Sequence, residues 1–363
     1  MEPATPRPTT WKALAFGALL FAGVDVGVFR CGPYRWLAKP DSSAGWVVRR
    51  TLIEPTLRPD LPQPSIVVFG DSRMGEACIP ELLQAGLGAP PAGVRMATVP
   101  GTSPRVWPFL FEHVPPPRGG FQIAVVGLSD YDDDIPGKSW SERELDLAFL
   151  GPLLGLGDAA LVAADFTAAG ARRDTWLCAC SRIYAWRRDV QDLLLAPWSR
   201  YDAVRRHYWW LAGDRGYPGV DRSLAGVRWE GGEVAGLRPE DRAAAPALAA
   251  LVQPGPSIDE SAYRRKWLGR MADLTAAAGT ALVFVRMPTQ VLPRAHPRAR
   301  ATAVLDELAR RPHVRVLDRD LFADLERPEC FYDALHLNRR AAEWFTRRLA
   351  EALLAACGPQ LGR

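Results

Sequence analysis

Five short runs constrain the fold of this chain most: Ile66–Phe69, Val94–Val99, Gln122–Gly127, Ala281–Arg286 and Val314–Asp318. Apolar, β-branched-rich runs of this length read as buried strands. Helical stretches are expected between them at Pro80–Ala85, Pro104–His113, Ser261–Ala278 and Pro297–Arg311. A last helix is expected at Arg339–Cys357, capped by Asn338 and stopped by Gly358-Pro359. Its Ala341, Phe345, Leu349 and Leu353 recur at i+4 and would dock on a sheet. Such alternation implies an α/β protein, an open parallel sheet with right-handed crossovers. Ser72, Gly101, Gly127 and Arg286 then fall at the C-terminal ends of strands, where these folds place their sites.

The sharpest local signal is Gly70-Asp71-Ser72-Arg73, directly after the first run. Glycine permits a tight turn there, and the serine can open a helix above the sheet edge. By itself the tetrapeptide is common turn composition. It gains meaning beside Asp333-Ala334-Leu335-His336, just before the last helix. A serine hydroxyl needs a neighbouring base to act as a nucleophile at neutral pH. That base, usually histidine, needs a carboxylate on its other ring nitrogen. Of the five histidines (His113, His207, His296, His313 and His336), His336 best combines a nearby aspartate with a position at a helix start.

On these motifs the chain resembles the SGNH/GDSL hydrolase superfamily, over about residues 62–130 and 280–357. The resemblance implies a five-stranded parallel flavodoxin-like sheet with flanking helices. It implies Ser72 as nucleophile, His336 as base and Asp333 as orienting acid. The oxyanion hole would be formed by the backbone N–H groups of Ser72 and Gly101. The third family block, normally Gly-x-Asn-Asp, reads Gly127-Leu128-Ser129-Asp130, so Ser129 offers a shorter hydroxyl donor in place of an amide. Gly-Asp-Ser-Arg with an apolar N-terminal segment resembles the membrane-anchored branch, whose members often add or remove O-acyl groups on cell-envelope polymers. Arg73 and Arg286 flank the expected site as candidates for holding a substrate carboxylate or phosphate, or as ordinary ion pairs.

The 363 residues carry a net charge of only +4, which indicates no nucleic-acid partner. Lysine occurs only at positions 12, 39, 138 and 266, so the basic residues are almost all arginine. Trp11–Phe29 contains only Lys12 and Asp25 as charges, but its uninterrupted apolar part, Ala13–Val24, is short of the roughly 20 residues that span a bilayer. Including Phe29 requires Asp25 to reach the headgroups. An uncleaved anchor is the reading adopted; a cleaved signal and a buried helix remain alternatives. The six cysteines show no zinc-type spacing, and a Cys78–Cys330 bridge is left open. The run Tyr131-Asp132-Asp133-Asp134 could chelate a metal but reads as a solvated acidic loop, and no metal or cofactor is expected.

The expected organisation is a tail and anchor (1–30), a linker (31–61), a hydrolase-like domain (62–130 and 259–357) and a mainly helical insertion (131–258). Within the insertion, helices are expected at Thr175–Leu195 and Tyr201–Ala212, then a turn near Gly216 and Gly219. Val227–Leu237 would be a hairpin or loop. The insertion's arginine and aromatic clusters could grip a glycan, or could be core aromatics with solvated arginines, the reading preferred. The expectation is a membrane-anchored serine esterase or O-acyltransferase, its catalytic body periplasmic or extracellular. Its substrate would be an acylated carbohydrate or small ester, and envelope-assembly proteins are candidate partners. The contrasting reading, favoured by Ser129, is a non-catalytic binding or scaffold protein of an envelope-assembly complex.

Overall fold

Residues Ser65–Phe69 (β1), Gly93–Met96 (β2), Ile123–Leu128 (β3), Ala281–Arg286 (β4) and Val314–Val316 (β5) form one sheet in the order 2-1-3-4-5. Every neighbouring pair is parallel. β1, β3 and β4 are buried along their whole length, which is why they read as continuous apolar runs. The edge strand β2 alternates buried and half-buried residues instead. Val68 pairs with Met96 on one side and Val125 on the other. The chain steps from β1 to β2, then reverses to β3, so the switch of direction flanks β1, and ligand crevices open at such a point.

This computed structural model describes residues 8–62, 65–88, 93–136, 139–212, 219–253, 255–289, 291–292 and 301–362. The chain divides into two units, Arg49–Asp146 with Trp210–Arg363, and Met1–Val48 with Leu147–Trp209. In the sheet unit the last helix, Arg339–Cys357, buries Ala341, Phe345, Leu349 and Leu353 as its spacing implies. Burying each of the larger side chains contributes about 1.5–3 kcal/mol. Its Phe345 ring packs 4.3 Å from that of Phe322. Val227–Leu237 contains a hairpin, Arg228–Glu230 against Glu233–Ala235. Gly231 (φ 60°) and Gly232 (φ 89°) make its turn, where two successive positive φ angles favour glycine.

Three boundaries differ from expectation. The insertion is narrower than 131–258, because Asp134–Pro136 pairs with Ser257–Asp259 within the sheet unit. Leu224, Val227, Leu248 and Val252 likewise join that unit's core. The stretch 31–61 is not an open linker: Pro33–Leu37, Ser43–Val48, Arg49–Ile53 and Glu54–Leu57 are helical turns, and Val47 and Val48 are buried. The expected helix Thr175–Leu195 is three helices, Ala169–Cys180, Arg182–Ala185 and Arg187–Leu195. The first break falls at Ser181, whose extended backbone lets its hydroxyl cap the next helix by accepting from Tyr184 N at 3.2 Å. The expected turn at Gly216 and the start of the Pro297–Arg311 helix lie outside the described residues; Ala303–Leu308 is helical.

In the other unit, Trp11–Arg30 is a 20-residue helix long and apolar enough to cross a membrane. Asp25, expected to reach toward headgroups, is instead buried against the protein. Its carboxylate accepts from Arg30 Nε (2.9 Å), Ser181 Oγ (2.9 Å) and Ile183 N (2.8 Å). Trp186 is a core residue, 5.3 Å from the buried Tyr34 ring. Arg187 lies 3.9 Å over the Tyr184 ring and pairs with Asp174 at 3.1 Å. The Arg187 guanidinium is thus partnered inside the unit though partly exposed, and Arg188 beside it is exposed, in line with core aromatics and solvated arginines.

Candidate active site

The turn that carries Ser72 follows from the end of β1. Gly70 has φ 149°, and a Cβ there would stand 2.6 Å from Met74 Cβ, so only glycine fits. Gly127, at the end of β3, makes room for the same methionine, 2.8 Å from where its own Cβ would be. Asp71 caps the helix Ser72–Ala77 by accepting from Arg73 N at 2.9 Å. Ser72 thus begins a helix held close over the C-terminal ends of β1 and β3. Residues following β2 stay beside this turn, with Val99 N donating to Gly70 O at 3.0 Å. The chain then turns at Gly101 (φ 74°).

His336 arrives from the other end of the chain. The loop before the last helix is closed by Tyr332 N donating to His336 O (3.1 Å) and Asn338 N donating to Cys330 O (2.8 Å). Asn338 caps the helix, accepting from Ala341 N at 3.1 Å, as its position before Arg339 implies. Asp333 braces the turn through Oδ1, which accepts from Leu335 N (2.8 Å) and His336 N (2.7 Å). The helix is fastened to the helix that begins at Ser72 by Thr346. Its buried hydroxyl donates to Ala77 O (2.9 Å) and accepts from Ile79 N (3.0 Å).

These constraints bring Ser72, His336 and Asp333 into one hydrogen-bonded chain. His336 Nδ1 lies 2.8 Å from Asp333 Oδ2, and Nε2 lies 2.8 Å from Ser72 Oγ. An ionised carboxylate only accepts, so Nδ1 carries the hydrogen and Nε2 is free to accept from the serine hydroxyl. Burial would raise the Asp333 carboxyl, but the His336 and backbone N–H donors outweigh it and hold the group below its ordinary value. Burial likewise disfavours imidazolium, yet the Asp333 hydrogen bond and the carboxylates of Glu76, Asp333 and Asp71 prevail and raise the His336 pKa. Of the other histidines, His113 and His313 each lie within hydrogen-bonding distance of a backbone carbonyl, Phe109 O and Ala272 O.

Two residues at the site escaped the sequence reading. Glu76 Oε1 is 4.0 Å from His336 Nε2, and its Oε2 accepts from Tyr332 OH at 2.6 Å. The Tyr332 ring stacks on the imidazole, with centroids 5.7 Å apart. Glu76 follows Ser72 by four residues on a helix, a spacing that puts both on one face and is visible in the sequence. Tyr332 carried only its adjacency to Asp333.

The flanking arginines do not present open cationic sites. Arg73 is bound to Asp71 Oδ2 (3.0 and 2.7 Å) and donates to Ser129 Oγ at 2.9 Å. Ser129 is thereby brought to the turn that carries Ser72, with its oxygen already accepting. Arg286 is buried and donates to Glu326 at 2.7 Å, with Asp130 at 3.6 Å. The acidic run is not a solvated loop either. Asp132 and Asp133 are buried, Asp132 accepting from Arg319 at 2.7 and 2.8 Å and Asp133 pairing with Arg264 at 3.3 Å. Buried carboxylates require such partners. Among the described residues no cluster of three His, Cys, Asp or Glu side chains is arranged to hold a metal. All six cysteines are free thiols, Cys78 and Cys330 included, and burial pushes the Cys78 thiol up to about 12. No protein-family model matches this chain, and no curated protein matches it.

Proposed function

We propose that this chain is a membrane-anchored SGNH-type serine esterase or O-acyltransferase acting on an ester of a cell-envelope glycan or a related small ester. The observation that carries the reading is the continuous Ser72–His336–Asp333 hydrogen-bond chain, with both links to the imidazole at 2.8 Å. Ser72 Oγ attacks the ester carbonyl carbon while its proton passes to His336 Nε2. Asp333 keeps the imidazole oriented and stabilises the imidazolium. The backbone N–H groups of Ser72 and Gly101 receive the developing oxyanion, aided by the Ser129 hydroxyl, whose hydrogen is not used by Arg73. His336 returns the proton to the leaving alkoxide, giving an acyl-Ser72 and a free alcohol. Water, or a sugar hydroxyl, then loses a proton to His336 and attacks the acyl carbon. As the bond from Ser72 Oγ to the acyl carbon breaks, His336 returns its proton to that oxygen, which regenerates Ser72 and releases a carboxylic acid or a new ester.

The anchor reading rests on Trp11–Arg30, long and apolar enough to cross a membrane; a catalytic body outside the cytoplasm is part of the proposal and follows from the envelope ester taken as substrate. The decisive comparison is hydrolysis of a short activated ester by the parent and by Ser72→Ala. A fall of about 10³-fold or more in the folded variant is expected. Equal rates would leave the chain as a non-catalytic binding protein.

A further inference from the structure

We propose that the helix pair Arg187–Leu195 and Pro197–Ala212 rests on the surface of the bilayer that Trp11–Arg30 enters, with lipid headgroups and upper acyl chains as its partner. The proposal rests on the anchor reading. Where those two helices meet, large apolar side chains face outward: Leu194 is 75% exposed, Leu195 78%, Trp198 82% and Tyr201 58%. So dense an exposed apolar patch marks a contact surface. Its composition suits the membrane interface, where Trp and Tyr bury an apolar ring and keep a polar edge hydrated. Arg188, Arg205 and Arg206 are exposed on the same two helices, and guanidinium groups there can meet headgroup phosphates.

What selects lipid over a partner protein is continuity with the anchor, all within one unit. At the anchor's end Asp25 accepts from Ser181 and Ile183, and Arg30 donates to the carbonyls of Ala179 and Cys180. Further on, Tyr34 OH donates to Asp189 Oδ1 (2.7 Å), and Lys39 N to Asp189 Oδ2 (3.1 Å). Arg200, itself buried, donates to Asp189 Oδ1 (2.9 Å) and to Leu37 O (3.0 Å). The chain leaving the anchor is therefore bolted to both helices that carry the patch. Trp36 and Leu37 are also exposed, and Leu37 follows Phe29 by only eight residues. A segment so tied cannot travel far from the membrane surface.

The test uses the full chain reconstituted in vesicles of phosphatidylcholine and phosphatidylglycerol, with exposed Cys31 and Cys180 changed to serine. A nitroxide is attached at Trp198→Cys, at Leu19→Cys or at the exposed control Glu230→Cys, and its collisions with oxygen and with a water-soluble nickel chelate are measured. The expected result is nickel collision at position 198 several-fold below that at 230, with oxygen favoured, at every protein-to-lipid ratio. Adding Leu195→Glu should restore nickel collision at 198 toward the control. Control-like collision at 198 while position 19 is shielded overturns the proposal and leaves the anchor standing. Shielding that grows with protein density means a second copy covers the patch, which also overturns it. Free nickel access at both 19 and 198 removes the anchor and the proposal together.

Discussion

Replacing Asp333 by asparagine separates the role of its charge from its role in the fold. Asp333 Oδ1 holds the turn by accepting from Leu335 N and His336 N at 2.8 and 2.7 Å, and an asparagine carbonyl can accept both. The turn, and with it the approach of His336 to Ser72, should survive. What changes is the other oxygen, which lies 2.8 Å from His336 Nδ1 and becomes an amide donor. An N–H facing Nδ1 drives the ring hydrogen to Nε2, the atom 2.8 Å from Ser72 Oγ. The base then has no lone pair for the serine proton. In serine proteases this substitution lowers kcat by about 10⁴-fold, or roughly 5.5 kcal/mol in the barrier. Asp333→Asn should therefore lose about 10³–10⁴-fold in kcat on an activated ester, with a melting temperature close to that of the parent. Activity within about tenfold of the parent in a folded Asp333→Asn protein would refute the assigned role of the carboxylate, since loss of the correct tautomer must cost far more.

Other outcomes follow from neighbouring contacts. Glu76→Gln removes a carboxylate that favours imidazolium, so the rise of kcat/KM with pH, reporting loss of the His336 proton, should move to lower pH. An unmoved or upward-shifted limb in the pH profile would show that Glu76 does not act on His336. Ser129→Ala should cost less than the roughly 10²–10³-fold of a full oxyanion donor, and Ser129→Asn should preserve or raise hydrolysis. Steady-state rates on one ester check both, and a Ser129→Ala loss as deep as that of Ser72→Ala would contradict the partial role. Thr346→Val keeps the side-chain shape but strands the buried Ala77 O, at about 1–3 kcal/mol when left unpaired, and the half-buried Ile79 N. Urea unfolding should show a fall of about 2 kcal/mol or more, and an unchanged midpoint would mean the clamp contributes little.

Much of the sheet unit is legible because its decisive interactions are local or periodic. β4 and the last helix carry the bounds read from sequence, since a continuous apolar run and an i+4 stripe with a cap each specify one kind of element. β2 is shorter than Val94–Val99 because Ala97 and Val99 only continue its backbone pairing toward Gly70. The serine, histidine and aspartate were legible through motif spacing. Their distances were not, for they depend on Met74 nesting against two glycines and on Thr346 joining helices far apart in sequence. That Arg286 forms an ion pair was one of the two readings open in the sequence, but its partners were not. Arg286 and Arg319 find carboxylates at positions 326, 130 and 132, and no local pattern announces pairings across such separations. Asp25, an interruption when read along an apolar run, is satisfied by residues more than 150 positions away.

The central claim, that Ser72 is an activated nucleophile, is tested most directly by treating the full chain with a fluorophosphonate and mapping the adduct by peptide mass spectrometry. A phosphonylated Ser72, lost in His336→Ala and absent from heat-unfolded protein, is the predicted result. An unmodified Ser72 in folded protein, or equal labelling of many serines before and after unfolding, would contradict it.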